Sequence, residues 1–506
     1  MTDLELAIQN LRANTVRYDK PDRYYRGDHD LSFATEKFEN AFGSLFREFA
    51  LNLCPAIVDA VRDKLKITGF SLGPRTLLSA SVATYARSIS SASSLLNSSS
   101  SPHLGLSALD SPRLPTGSSQ SPTDLHSAID SIWFANRLDL TAEEIHLEAL
   151  KLGDAYAIVW PDDDGNVVIY PQHAANCTVV YDDEILGLMR FAAKYWRTSD
   201  GYVRLNLLYP DRIEKYVSRS KSELSLPDFR EFLPLGAQAR SPSAREGVAV
   251  VSADGVVGAP ASVASEVENS HAVVPNPYGT IPLFHFSNTC EIGTFGKSEL
   301  QQAIPIQNGL NKAVLDMLVA MEFSAFRQRW VTGIEVEYDS NGDAIPPFKV
   351  GCDRLWTASN PQVSFGDFNT TDLDQFLKVK DSFRVDIASV TGTPLHYFLQ
   401  NIRGFASGEA LGRAEARFLA KVRDRQKIFG QTWAALMSFA LRVAGFEPGI
   451  LLRPQWEDPA PMAEREFLEN LILKKRLGIS TEQALLEAGY GRTDIAQMLS
   501  DLKYEL

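Results

Sequence analysis

Residues 293–306 read GTFGKSELQQAIPI, and the reading of the Gly-Lys-Ser turn decides what kind of molecule this is. A phosphate-binding loop needs G-x-x-x-x-G-K-[ST], because that spacing wraps successive backbone N–H groups around the phosphates. With Gly296-Lys297-Ser298 as its end, the first glycine belongs at position 291, which holds Glu291. Gly293 comes two residues late, and a carboxylate carries the wrong charge for a phosphate cradle. IPLFHF (281–286) supplies the strand pattern that should precede such a loop, but it does not repair the spacing. The simpler reading makes Gly293 and Gly296 a tight turn. Ser298 then N-caps a helix, and Glu299 suits the positive end of its dipole.

The helix opened by this turn is expected over 298–325, with Leu300, Ile304, Leu310, Val314, Leu318, Met321 and Ala325 mostly three or four apart. One wider step interrupts the period around Gln307. At 1.5 Å per residue the helix would run about 40 Å, kinked where Pro305 falls inside it. Residues 327–368 read as short strands with turns at DSNGD and NP. A second helix covers 372–390, with Leu373, Phe376, Phe383, Ile387 and Val390 on one face. TGTPLHYFLQNIRGFA (391–406) reads as a Gly/Pro loop with exposed aromatics. A third helix runs from Ser407, as N-cap, to about Ala444, and short helices joined at LGIS and AGYG follow over 461–503.

Upstream, residues 3–19 are helical in pattern, and 39–65 form an amphipathic helix broken near Pro55. ITGFSL (67–72) is a short strand. Residues 79–123 contain sixteen serines, a composition that buries too little apolar surface to offset ordering entropy, so disorder is expected there. Helices are expected over 125–136 and 141–152, the second with a capping box formed by Thr141 and Glu144 and a stop at Gly153. AYAIVWP and NVVIYP make a hairpin around DDDG. Its acidic run lacks the alternate acids and the twelfth-position glutamate of a calcium loop. Strands are expected over 185–197, 202–210 and 212–219, a long loop over 234–277, and a strand at the end of 274–286.

The totals exclude several classes. The net charge of −13 is the reverse of the basic surface with which a nucleic-acid binder grips its ligand. No apolar run is long enough to span a membrane, and the N-terminus lacks a signal-peptide core. Cys54, Cys177, Cys290 and Cys352 show no C-x-x-C pair, so neither a metal site nor a disulfide framework is expected. No H-E-x-x-H, G-x-S-x-G or paired acidic metal motif occurs, and His146, His173 and His285 stand isolated. No enzyme activity, cofactor or metal is expected.

Four stretches carry a family likeness: YYRGDHDLSFATEKFENAFGSLFREF (24–49), GDAYAIVWPDDDG (153–165), GTFGKSELQQAIPIQNGLNKAVLDMLVAMEFSAFRQRWVTG (293–333) and ASGEALGRAEARFLAKVRDRQKIFGQTW (406–433). The chain resembles the SPP1-like class of tailed-bacteriophage portal proteins, as found in phages of actinobacteria, over nearly its whole length. The likeness departs at 73–123, where the Ser-rich insertion has no counterpart. It implies an α+β portal fold of wing, stem, clip and crown, with long amphipathic helices, assembling into a homo-oligomeric ring of usually twelve subunits.

Carried onto this sequence, the resemblance implies a first wing part over 1–297, stem helices over 298–325 and 372–390, and a clip over 326–371 that meets terminase and later the tail adaptors. A tunnel loop over 391–406 would face DNA, a second wing part would cover 407–456, and a crown 457–506. It further implies a role in genome packaging, retention and ejection at one capsid vertex. The partners would be double-stranded DNA in the channel, the terminase large subunit, the major capsid and scaffold proteins and a head–tail adaptor. The setting would be the virion, assembled in the host cytoplasm, with no membrane.

The implied DNA-facing residues are His396, Tyr397, Phe398, Gln400, Asn401 and Arg403. The stem residues are Leu300, Ile304, Val314, Leu318, Phe376, Phe383 and Ile387, and the clip residues are Trp330, Trp356 and Phe365. Tyr397 and Phe398 could equally pack between subunits. The basic cluster Arg413, Arg417, Lys421, Arg423, Arg425 and Lys427 reads more readily as a solvated or salt-bridging helix face than as a DNA contact. The acidic balance fits a conduit in which DNA must slide, because phosphate contacts dominate affinity. Two alternatives remain at this level: another structural virion protein, such as an adaptor or capsid-associated scaffold, and an NTPase or nuclease acting on DNA.

Overall fold

A computed structural model describes residues 1–30, 40, 50–73, 122–222, 226–235, 272–288, 294–325, 329–333, 337–338, 340, 344–345, 361–367, 373–399, 408–460, 464–487, 490, 495 and 497–499. The Ser-rich tract at 79–121, most of the 234–277 loop, and Cys290, Cys352, Trp356, Gln400, Asn401 and Arg403 lie outside them.

Helix α1 (Asp3–Arg26) starts at a capping box: the Thr2 hydroxyl accepts the Glu5 N–H, and the Glu5 carboxylate accepts the Thr2 N–H. It runs past the expected end at 19 and through Pro21 to Gly27, whose φ of 91° closes it. The buried face of Ala7, Ile8, Leu11, Tyr18 and Tyr24 offsets the hydrogen bond that proline removes. Helix α2 (Cys54–Arg62) begins beside Pro55, in the first turn where proline is tolerated. Strand β1 (Ile67–Leu72) follows.

Helices α3 (Pro122–Ala135) and α4 (Leu138–Leu152) lead into the hairpin β2 (Asp154–Pro161) and β3 (Val167–Gln172). The capping box expected at Thr141 does not form. Leu138 is fully buried, so the helix starts there, behind Arg137 at φ 50°. Thr141 falls inside it and donates its hydroxyl to the Arg137 carbonyl at 2.6 Å. The hairpin tip is a local turn: Asp162 accepts the N–H groups of Asp164 and Asn166.

Strands β4 (Cys177–Tyr181), β5 (Met189–Arg197), β6 (Tyr202–Leu208), β7 (Arg212–Lys221) and β8 (Phe232–Pro234) form an antiparallel sheet in sequence order, and β9 (Val273–Pro275) pairs with the start of β7. Alternation gives the sheet two apolar faces. Phe191, Ala193, Val203, Leu205 and Leu207 pack on Ala7, Ile8 and Leu11 of α1. Ala192, Leu208 and Ile213 pack toward Tyr156 of β2 and Leu283 of β10 (Leu283–Ser287), which completes the sheet β10-β2-β3.

Helix α5 (Ala303–Ala325) leaves the core. Strand β11 (Arg329–Thr332) pairs with β14 (Ser364–Asp367), and β12 (Glu337–Tyr338) with β13 (Ala344–Ile345). Helix α6 (Asp374–Thr391) returns antiparallel to α5. The long helix α7 (Gly408–Val443) then crosses the main core, burying Phe418, Val422, Phe429, Trp433, Leu436 and Ala440. Trp433 sits at its centre, near Trp133 and Phe286, and donates its indole N–H to His146 at 2.9 Å. Strand β15 (Leu452–Trp456) pairs with β1 across the full length of the sequence. Helices α8 (Glu464–Arg476) and α9 (Thr481–Glu487) follow. Among the described residues, no helix is long and apolar enough to cross a membrane.

Candidate functional site: the Gly-Lys-Ser strap, the stem helices and the α6–α7 loop

The turn at 294–298 is a strap over the end of α4. Gly153 ends α4 at φ 104°, and a Cβ there would stand 2.8 Å from the Gly296 carbonyl oxygen. Only two glycines permit this backbone approach. Three of the N–H groups around the turn are already spent. Gly296 donates to the Asp154 carboxylate at 2.7 Å, Lys297 to the Asn288 carbonyl at 2.8 Å and Glu299 to the Leu150 carbonyl at 3.0 Å. With these three N–H groups turned to protein acceptors, the backbone geometry counts against the nucleotide reading along with the spacing.

Asp154 is the anchor beneath the strap and is completely buried. It also accepts from the Tyr18 hydroxyl at 2.8 Å and from His285 Nε2 at 2.7 Å. A carboxylate only accepts, so His285 donates from Nε2, and its Nδ1 lies 2.8 Å from the Tyr181 hydroxyl. Burial, then the Asp154 charge, pushes the Tyr18 phenol far above its usual range.

Ser298 does not cap the stem helix as expected. Its hydroxyl donates to the Lys151 carbonyl and accepts the Leu300 N–H, and α5 begins at Ala303. Leu300 therefore precedes the helix and is fully buried in the core. Pro305 becomes the third helical residue, where its missing N–H has no intrahelical acceptor to lose and no kink is needed. At 23 residues α5 spans about 35 Å. Glu299 does not serve the helix dipole either. Its carboxylate accepts from Arg425 Nη2 and Nε at 2.8 and 3.0 Å and from Lys421 at 2.6 Å. Burial alone would raise this acid, but the two cations outweigh it and hold it below the usual carboxylate range. Lys421 also donates to the Thr391 carbonyl at 2.9 Å, so one buried ion cluster joins the strap, the long helix and the end of α6. The basic stripe on α7 is accordingly a salt-bridging face at Lys421 and Arg425. Arg423 meets Asp458 at 3.5 Å and Lys427 meets Asp424 at 3.4 Å.

The irregular step around Gln307 has a cause. Gln307, Asn308 and Asn311 are buried and tie α5 to the N-terminal helices. Gln307 bridges the Leu51 carbonyl and the Leu53 N–H, Asn308 accepts from the Tyr24 hydroxyl, and Asn311 meets His29. The sequence signal was present, three amides interrupting an apolar stripe. Their partners lie more than 250 residues away, which no local pattern shows.

Of the expected stem residues, Ile304 and Ile387 are buried, and Val314, Leu318, Phe376 and Phe383 are half-buried. Gly309 lets α5 and α6 close on each other: a Cβ there would lie 2.9 Å from the Phe383 ring. In the strand module, Trp330 lies over Gly366 on the paired strand, and Trp330 and Phe365 are both exposed.

Gly392, at φ 69°, ends α6, and a short 3-10 turn at Leu395–Tyr397 opens the loop. His396 Nε2 lies 3.1 Å from the buried Glu415 carboxylate of α7. Its ring packs on Tyr397 at 4.7 Å, and Tyr397 meets Phe418 at 5.8 Å. Tyr397 is 38% exposed, but Phe398 is only 7% exposed. Phe398 is thus held in the core of its own chain, where its apolar ring leaves water, rather than standing free in the loop as expected.

A family model described as "Phage portal protein, SPP1 Gp6-like" matches residues 115–506, and the chain belongs to this family. The portal protein of Mycobacterium phage L5 is 25% identical over 238 residues, covering 44% of this chain and 49% of the relative. That of Mycobacterium phage D29 is 24% identical over 237 residues, covering 44% and 48%. The chain thus matches about half the length of these curated relatives. Among solved structures, a chain from the virion of a native gene transfer agent particle is 12% identical with a TM-score of 0.37, covering 70% of this chain and 79% of that one. A chain from the neck of the native particle, computed with C12 symmetry, is 14% identical with a TM-score of 0.37, covering 70% and 85%.

Proposed function

We propose that this chain is a portal subunit. Copies close into a ring of about twelve at one capsid vertex, and double-stranded DNA passes through the bore during packaging and ejection. Family membership supports this reading, and the surface of α6 carries it. Phe383 and Ile387 face α5 and the core. Val379 and Val390 flank that stripe, whereas Leu377 and Val385 lie around the far side at 100° per residue. All four are 41–46% exposed. A helix apolar on several sides is one that expects neighbours.

In this reading α5 and α6 are the stem, 326–371 the clip that meets the terminase large subunit and later a head–tail adaptor, and 457–506 the crown. Residues 1–297 and 407–456 form the wing, where capsid and scaffold proteins dock. The 391–406 loop faces DNA. Phe398 anchors its base, the His396–Glu415 contact orients it, and Tyr397 is its exposed aromatic group. Electron microscopy of the purified chain, with class averages viewed down the axis, tests the proposal. Closed rings with an open axial hole are expected; compact monomers or dimers at high concentration overturn it.

A further inference from the structure

Between the hairpin β2–β3 and the six-stranded sheet lies a cleft of about 280 Å³, walled by Trp160, Tyr170 and Trp196 and floored by Lys194, Asn206 and Lys215. Lys194 pairs with Asn206, and Asn206 with Lys215, so the three stand in a row across β5, β6 and β7 on one face. Burial lowers the pKa of both lysines, and Arg204 lowers that of Lys215 further. Among the described residues no carboxylate answers either one. Lys194 stands over the Trp196 ring, 5.3 Å from its centroid, and two partly desolvated cations with no carboxylate beside them, on a chain of net charge −13, mark a site that favours an incoming anion. The aromatic walls ask that the anion come with apolar groups attached.

The chain carries such a group elsewhere. In the β4–β5 turn, the Asp182 carboxylate accepts the N–H groups of Glu184 and Ile185, each at 2.9 Å, and Gly187 turns at φ 84°. This fixed turn holds Asp183 and Glu184 in solvent beside Ile185, Leu186 and Leu188, which are 45%, 73% and 46% exposed. Two free acids adjoining three exposed aliphatic groups complement the cleft in both charge and polarity.

We propose that the cleft is the socket for the Asp182–Leu188 loop of a second copy of this chain. Lys194 and Lys215 take the Asp183 and Glu184 carboxylates, and Trp160, Tyr170 and Trp196 cover Ile185 and Leu186. The assignment rests on the ring reading above: plug and socket on different parts of one molecule make a head-to-tail contact, the kind that closes rings.

The test uses the full chain with Lys194→Glu/Lys215→Glu, with Asp183→Lys/Glu184→Lys, and with all four together. Assembly is followed by sedimentation and electron microscopy, and folding by circular dichroism. Each double variant is expected to need at least tenfold more protein to assemble, and the combined variant to recover. Lys194→Gln/Lys215→Gln replaces the reversal if the latter unfolds. Independently, a fluorescent peptide spanning 181–189 is titrated onto the full chain, with saturable, salt-sensitive binding expected to weaken at least tenfold in the lysine variants. Rings that form equally well in every variant, or a peptide that does not bind, overturn the socket and leave the ring reading intact. Peptide binding by a parent chain that forms no ring overturns the ring reading and keeps the socket.

Discussion

At the residue scale, two glycines and one glutamate determine what the Gly-Lys-Ser turn is. Gly153→Ala combines a strained left-handed residue with a backbone clash against Gly296, and it should lower stability by about 2–4 kcal/mol in denaturant unfolding. Glu299→Gln leaves Lys421 and Arg425 buried without their counter-charge and should cost about 3 kcal/mol. The pH dependence follows from the sign of the shift. Because the folded Glu299 carboxyl lies below its unfolded value near 4.3, its contribution is intact above that pH and fades as pH falls through the folded value. The stability gap between the parent and Glu299→Gln should therefore shrink on acidification below about pH 4. His146 works in the other range. Burial lowers its pKa to about 3, so between about 6.5 and 3 the unfolded chain binds a proton that the folded chain refuses. The Tm should begin to fall below about pH 6.5, and His146→Gln, which keeps an acceptor for Trp433, should flatten that limb.

At the element scale, the stem is a pair of helices held at the distance a missing side chain allows. Gly309→Val should force Phe383 aside and cost about 1–3 kcal/mol. Gly309→Val combined with Phe383→Leu should recover part of the loss, a coupling that a double-mutant cycle measures. The long helices, the β2–β3 hairpin and the strand pairs around 327–368 were all legible in the sequence, because period 3.6, period 2 and turn residues are local signals. Helix starts were not. Thr141 and Ser298 both have good capping chemistry, but buried Leu138 moved one start upstream, and the strap's bonds to α4 moved the other to Ala303. In each case burial and tertiary hydrogen bonds outweigh a cap worth about 1 kcal/mol.

At the scale of the whole molecule, the exposed apolar groups of α6 should matter more in the assembly than in the single chain. Val385→Glu and Val390→Glu replace groups already in water, so each should change monomer stability by less than about 0.5 kcal/mol. Together they should shift the chain toward smaller species in sedimentation. The candidate site was only partly legible at this scale. Tyr397 stands exposed as its loop context suggested, whereas Phe398 is taken into the core by packing on elements distant in sequence. The β1–β15 pairing and the amide contacts of α5 likewise join segments hundreds of residues apart.

The sequence by itself determined the element types, the failed phosphate-loop spacing and the family likeness. It could do so because periodicity, turn chemistry and motif spacing are properties of neighbouring residues. Only the tertiary structure decided that Glu299 belongs to Lys421 and Arg425, that Gly153 and Gly296 exist for each other, and that Lys194 and Lys215 stand in one row without an answering acid. Those facts depend on which distant segments share a low-dielectric interior, where an unpaired charge or a stray Cβ is costly. No local pattern records who the partner will be.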